Sequence, residues 1–159
     1  MVTVQATRLL PAESERKPYM GAAGRAVPGL PAIGIDLLYL DELDALLRRP
    51  WFLGYVYAEA ELSYARTLSG ERRRDFLAGR FAAKEAVLKV LDCGLFGDVL
   101  PRHIEVHRAA SGRPDLRLTR SAQRRSAALG LAQIAVTLTH KRDVALALAL
   151  GHPEWSPTP

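Results

Sequence analysis

Three side chains sit where ordinary packing does not explain them: Asp36, Arg80 and Lys84. Asp36 lies inside the β-branched apolar run Ile33–Leu38. A carboxylate there must be paired, hydrated or bound to a cation. Gly34 shares its strand face and carries no side chain, which leaves room for a ligand beside Asp36. Arg80 and Lys84 belong to a long proline-free stretch rich in Ala, Leu, Arg and Lys, Glu71–Leu91. Wound at about 100° per residue, Phe76, Leu77, Val87, Leu88 and Leu91 make an apolar arc, and both cations project into it. Either their stems run along the arc while the heads reach water, or the heads meet a bound anion. Glu85 and Lys89 share one face of the same helix, most commonly the mark of a surface salt bridge. One strand carboxylate and one helix carboxylate also suit Mg²⁺, which takes oxygen ligands and keeps water or phosphate oxygens around it.

The elements that must position these groups follow from pattern. A strand covers Ile33–Leu38 after Pro31, and Asp41-Glu42 opens a short helix through Arg49 that Pro50 stops. A second helix runs from Glu59 to Leu68 and ends at Ser69-Gly70, and the long helix follows. Strands are predicted at His103–Val106 and Asp115–Leu118 around a Ser111-Gly112 turn. A helix then spans Ser121–Leu129, with Ser121 as its cap and Gly130 past its end. Ile134–Thr139 and Val144–Leu150 alternate and form a hairpin. Helices gather in the first half and strands in the second. The class is therefore α+β: a single domain with an antiparallel sheet packed against a long central helix. Residues 1–31, rich in Gly, Ala and Pro, read as a flexible extension, residues 32–151 as the domain and 152–159 as a tail.

Bulk properties narrow the partners. A net charge of +5 and a pI near 9.7 favour an anionic partner: nucleic acid, an acidic protein or a polyphosphate cofactor. The basic runs Arg72–Arg74 and Arg124-Arg125 lack interleaved aromatics or any zinc or helix-turn-helix signature, which argues against nucleic acid. One cysteine, Cys93, excludes an internal disulfide and a cysteine-rich zinc site. No apolar run approaches the ~20 residues of a membrane span, and no secretory h-region is visible. The expectation is a cytoplasmic protein with no membrane partner.

Gly34-Ile35-Asp36, followed by Phe76-Leu77-Ala78-Gly79-Arg80-Phe81-Ala82-Ala83-Lys84-Glu85-Ala86, resembles the holo-[acyl-carrier-protein] synthases of the 4'-phosphopantetheinyl transferase superfamily. Ala60-Glu61-Leu62, Ile104-Glu105-Val106, Gly112-Arg113-Pro114 and Val136-Thr137-Leu138-Thr139-His140 fall in the family's order, so the likeness spans residues 33–150. The resemblance implies that 4'-phosphopantetheine is transferred from coenzyme A to a serine of an apo acyl carrier protein, with Mg²⁺ as cofactor. It implies Asp36 and Glu85 as metal ligands and Lys89 on the phosphates, with Glu85 or a water on the metal as general base. Arg80, Lys84, Gly112, Arg113, Pro114, Thr139 and His140 would belong to the coenzyme A site. It also implies a homotrimer with sites at subunit interfaces.

The chain departs from the family at Tyr39, where an acidic residue is usual, and at Glu42, where an arginine grips the carrier. Ala58 replaces a threonine and Asp92 a glycine. Carrier recognition is accordingly expected at Arg48, Arg49, Phe52 and Phe81. Whether the carrier serves fatty-acid, polyketide or peptide synthesis is open at this stage.

Overall fold

The computed structural model describes residues 31–153. Strand β1 (Ala32–Tyr39) leads into a 3-10 turn, Leu40–Leu43, and then α1 (Pro50–Val56), α2 (Glu59–Arg66) and the 21-residue α3 (Gly70–Val90). The hairpin β2 (Ile104–Arg108) and β3 (Pro114–Leu118) precedes α4 (Arg120–Ala128), β4 (Leu131–Lys141) and β5 (Val144–Pro153). β5 is the centre of an antiparallel sheet of order β1-β5-β4, and β2-β3 forms a separate two-stranded sheet. The α+β architecture around one long helix is as expected.

Small residues bring α3 onto the sheet. The inner face of β5 is Ala145, Ala147, Ala149 and Gly151, and α3 answers with Ala78, Ala82, Ala83 and Ala86, all buried. At Gly34 a Cβ would lie 1.9 Å from the Ala86 carbonyl oxygen, so the strand approaches the helix backbone itself. This corrects the reading of Gly34: its empty side is filled by α3, not kept for a ligand. The opposite sheet face stays open, with Ile33, Ile35, Leu37 and Tyr39 all more than half exposed.

Several expected boundaries move for identifiable reasons. The helix expected over 41–49 is only the 3-10 turn followed by further turns, and Pro50 starts α1 instead of stopping its predecessor. Proline at a first helical position gives up no hydrogen bond and has the right φ. Ser121 does not cap α4. Its hydroxyl is drawn to the preceding turn, accepting from the Leu100 N–H at 3.1 Å and meeting His103 Nδ1 at 2.7 Å. Gly130 does take the left-handed φ of +65° past the helix end. β5 runs through His152 and Pro153, which pair with Gln133 and Leu131, past the expected strand end at Leu150. The expected extension and the final residues from 154 lie outside the described residues.

A buried ion pair ties the helical half together. Lys84 is fully buried and Glu61 is 2% exposed. Lys84 Nζ lies 2.8 Å from Glu61 Oε2 and also donates to the carbonyls of Pro101 (3.1 Å) and Ile104. Glu61 Oε2 accepts from the Ala58 N–H at 2.8 Å and Oε1 from the Val106 N–H at 3.1 Å. Burial pushes the Lys84 ammonium below its usual range, and the Glu61 charge opposes that shift. α2, α3 and the start of β2 therefore share one electrostatic knot. Beside it, the buried Tyr57 hydroxyl donates to the Leu77 carbonyl at 3.0 Å.

Breaking this knot from one side leaves an uncompensated buried carboxylate. Lys84→Met should lower unfolding stability by about 3–5 kcal/mol, read as a fall in the urea midpoint. Lys84→Met combined with Glu61→Gln should recover part of the loss, because no unpaired charge remains. A near-wild-type midpoint for Lys84→Met would exclude the knot as a main tether.

Candidate active site

Asp36 points inward from β1 toward α3, two residues beyond the Gly34 contact and on the same strand face, with its side chain 14% exposed. From α3, Lys89 reaches across: its Nζ is 2.8 Å from Asp36 Oδ1 and donates to the Ile35 carbonyl at 2.6 Å. The ion pair of Lys89 is thus with the strand carboxylate, and no pair with Glu85 is formed. Glu85, one helical turn earlier, is half-buried, and its Oε1 is buried with no hydrogen-bond partner. Burial raises the Glu85 carboxyl above its ordinary value, the neighbouring Asp36 charge raises it further, and Lys89 offsets part of this.

Two adjacent carboxylates, one with an orphaned buried oxygen, are a poor arrangement for a protein alone and a suitable one for a hard cation. Among the described residues no group of three or more His, Cys, Asp or Glu side chains converges. Asp36 and Glu85 would therefore supply two oxygens and leave further positions to water or phosphate, the habit of Mg²⁺.

The remaining expected residues divide. Arg80 is 6% exposed, with its guanidinium carbon 4.5 Å above the Phe76 ring centroid and its Nε unpartnered. Burial pulls its ionisation downward and Glu61 pulls it back, while an arginine stays charged throughout. Gly112 has φ +85°, which favours glycine, and a Cβ there would meet the Arg108 guanidinium at 3.7 Å. Arg113 is exposed, and Pro114 begins β3. Thr139 and His140 are exposed near the end of β4. The His140 ring lies over Gly79, where a Cβ would come within 2.5 Å of Nε2. Gly79 thus admits the imidazole against α3.

Two expectations fail on packing. Lys84, assigned to the cofactor site, is enclosed with its donors committed to Glu61, Pro101 and Ile104, so no N–H is left for a ligand. Phe52, assigned to the carrier, is 1% exposed and packs against Trp51, Tyr57 and Phe81. The exposed aromatic of α1 is Trp51 instead. Arg48 and Arg49 are exposed and Phe81 half-buried. Sequence reasoning passed over Tyr64 and Arg108, which gather around Arg80. Only the helical proximity of Phe76 and Arg80 hinted at that group.

Comparison with known proteins gives the family. Residues 32–149 match the profile of the 4'-phosphopantetheinyl transferase superfamily. The holo-[acyl-carrier-protein] synthase of Moorella thermoacetica is 38% identical over 124 residues, covering 77% of this chain and 94% of that protein. The structure is similar to a holo-(acyl-carrier-protein) synthase from Bacillus anthracis in complex with CoA (3',5'-ADP), with TM-score 0.65 and 28% identity over 77% of this chain and 96% of the other. It is also similar to an ACPS-CoA complex from Chronobacterium ammoniagenes, with TM-score 0.67 and 28% identity over 79% and 99% of the two chains. The chain belongs to the 4'-phosphopantetheinyl transferase superfamily.

Proposed function

From that membership and the site geometry, we propose that this protein transfers 4'-phosphopantetheine from coenzyme A to a serine of an apo acyl carrier protein. Adenosine 3',5'-bisphosphate is released, and the reaction depends on Mg²⁺. The observation that carries the reading is the convergence of Asp36, Lys89 and the unpartnered Glu85 oxygen on one edge of α3. The relatives named for this reaction, and the related complexes with coenzyme A, agree with it.

The carrier serine Oγ attacks the β-phosphorus of coenzyme A. A new P–O bond forms to serine, the pyrophosphate P–O bond breaks, and the bisphosphate leaves with the electron pair. Asp36 and Glu85 would hold Mg²⁺, which when bound supplies charge neutralisation for the pyrophosphate and its leaving oxygen. Lys89 is pre-oriented by Asp36 and the Ile35 carbonyl, and its ammonium adds positive charge against the phosphates. The serine proton passes to Glu85 or to a water beside it. Arg80, Gly112, Arg113, Pro114, Thr139 and His140 form the rest of the nucleotide site. The open apolar face of β1 and β5, extended by Leu148 and Leu150, offers an interface for further copies of the chain, and the family resemblance makes that assembly a homotrimer. No helix among the described residues is long and apolar enough to cross a membrane, and the single cysteine suits a reducing cytoplasm.

Asp36→Ala and Glu85→Ala should each reduce transfer by about a hundredfold or more with unchanged circular dichroism. The readout is the mass increase of an apo carrier incubated with coenzyme A and Mg²⁺. Near-normal turnover in either folded variant rejects the metal assignment. Glu85→Gln should melt higher than wild type without metal, since it relieves the carboxylate repulsion. It should also lose the melting shift that Mg²⁺ with coenzyme A gives the wild type.

Carrier recognition rests on exposed cations, because Glu42 stands where the family has an arginine. Arg48→Glu with Arg49→Glu should raise KM for the carrier and leave KM for coenzyme A nearly unchanged, and added salt should weaken wild-type carrier use in the same direction. An unchanged carrier KM places recognition elsewhere.

A further inference from the structure

Arg80 is nearly sealed from solvent, yet its Nε finds no acceptor. Glu61, the carboxylate whose charge it feels, is already committed to Lys84 and two backbone N–H groups. A buried guanidinium without a carboxylate is costly, and an apolar residue would pack here without that cost. What holds it is aromatic. Phe76 lies one turn earlier on α3, and its ring faces the Arg80 guanidinium carbon at 4.5 Å. The Phe76 ring in turn packs on Tyr64 of α2, with centroids 4.9 Å apart and planes tilted by 52°. The Tyr64 hydroxyl accepts from Arg108 Nη1 of β2 at 3.4 Å, and the Arg108 guanidinium borders the Gly112 turn.

A ring face attracts a cation without consuming any of its N–H donors. A carboxylate in the same place would fix the guanidinium and use those donors up. The stack therefore orients Arg80 without using its N–H donors; Nε itself is sealed in the protein, so contact with a ligand falls to the terminal guanidinium nitrogens. We propose that Phe76 and Tyr64 are positioning residues, whose stacked rings, closed by Arg108, hold the Arg80 guanidinium ready for an anionic group of coenzyme A. This rests on the reading that the protein uses coenzyme A, and it adds Tyr64, Phe76 and Arg108 to the parts that serve that substrate. Neither ring touches the ligand in this arrangement. Their contribution is to spare Arg80 a search among rotamers when the anion arrives.

The test uses the full chain and two independent readouts. In ¹⁵N-labelled protein without ligand, the Arg80 Nε–Hε resonance should be ring-current shifted. Phe76→Leu should move it toward the unstructured position, and Phe76→Tyr should keep it. In steady-state assays Phe76→Leu should raise KM for coenzyme A about tenfold, with kcat and carrier KM within about twofold, while Phe76→Tyr behaves as wild type. If Phe76→Leu fails to fold, Tyr64→Leu carries the same test, since Tyr64 is 39% exposed. An unmoved Arg80 resonance in a folded variant overturns the proposal. So does a moved resonance with an unchanged KM for coenzyme A, which makes the stack merely structural. Wild-type protein that shows the shifted resonance but binds no coenzyme A by calorimetry rejects the function itself, and with it the ligand assigned to Arg80.

Discussion

The Lys84–Glu61 ion pair fixes the rotation of α3, and the placement of the charged groups that α3 contributes, Arg80, Glu85 and Lys89, follows from that rotation. An unpaired ammonium in this interior is not tolerated, so Lys84 must face the acceptors on α2 and at the start of β2. Each helical residue then turns by about 100°. With Lys84 directed at Glu61, Glu85 and Lys89 come round to β1 and Asp36. Ala82, Ala86 and Val90 face the sheet. Arg80 and Phe76 fall on the other flank, against Tyr64. A pair that touches no substrate thereby decides which carboxylate meets which.

Two cations with almost the same helical phase thus have opposite fates. Lys84 has its donors occupied and is part of the scaffold. Arg80 sits on a ring and keeps an N–H unspent. The difference lies in the chemistry of what surrounds each. An ammonium is a compact charge that needs several acceptors, whereas a planar guanidinium can lie on an aromatic face. The same contrast holds for the acids. Asp36 is balanced by Lys89, while Glu85 keeps an orphaned oxygen that a hard cation would satisfy.

Two positions where the resemblance led to another residue being expected have local physical accounts. Ala58 precedes α2 without a hydroxyl, so only half of the reciprocal capping arrangement survives: Glu61 accepts from the Ala58 N–H, and nothing is returned. Asp92 occupies a left-handed position, φ +52°, just past α3, a conformation that short polar residues tolerate better than most. Arg125 steadies that end, donating from Nε to the Leu91 carbonyl at 2.9 Å and placing Nη2 3.5 Å from Asp92 Oδ2. Neither change touches Asp36, Glu85 or Lys89.

Much was legible from residue order alone. Alternation marked the β4–β5 hairpin, and a long alanine-rich, proline-free run marked α3. A strand carboxylate and two cations inside an apolar arc stood out as candidates, of which Lys84 belongs to the scaffold. These signals are periodic or local, which is why they survive in one dimension. The tertiary structure decided what period cannot carry: who stands opposite whom. It paired Lys89 with Asp36 and left Glu85 without a salt bridge, hid Lys84 and Phe52, and filled the side of Gly34 with the Ala86 carbonyl. It also gathered Tyr64, Phe76 and Arg108 around Arg80 from three elements. Each of these outcomes turns on desolvation. Whether a charge is costly, paired or free depends on the atoms that exclude water from it, and those come from distant parts of the chain.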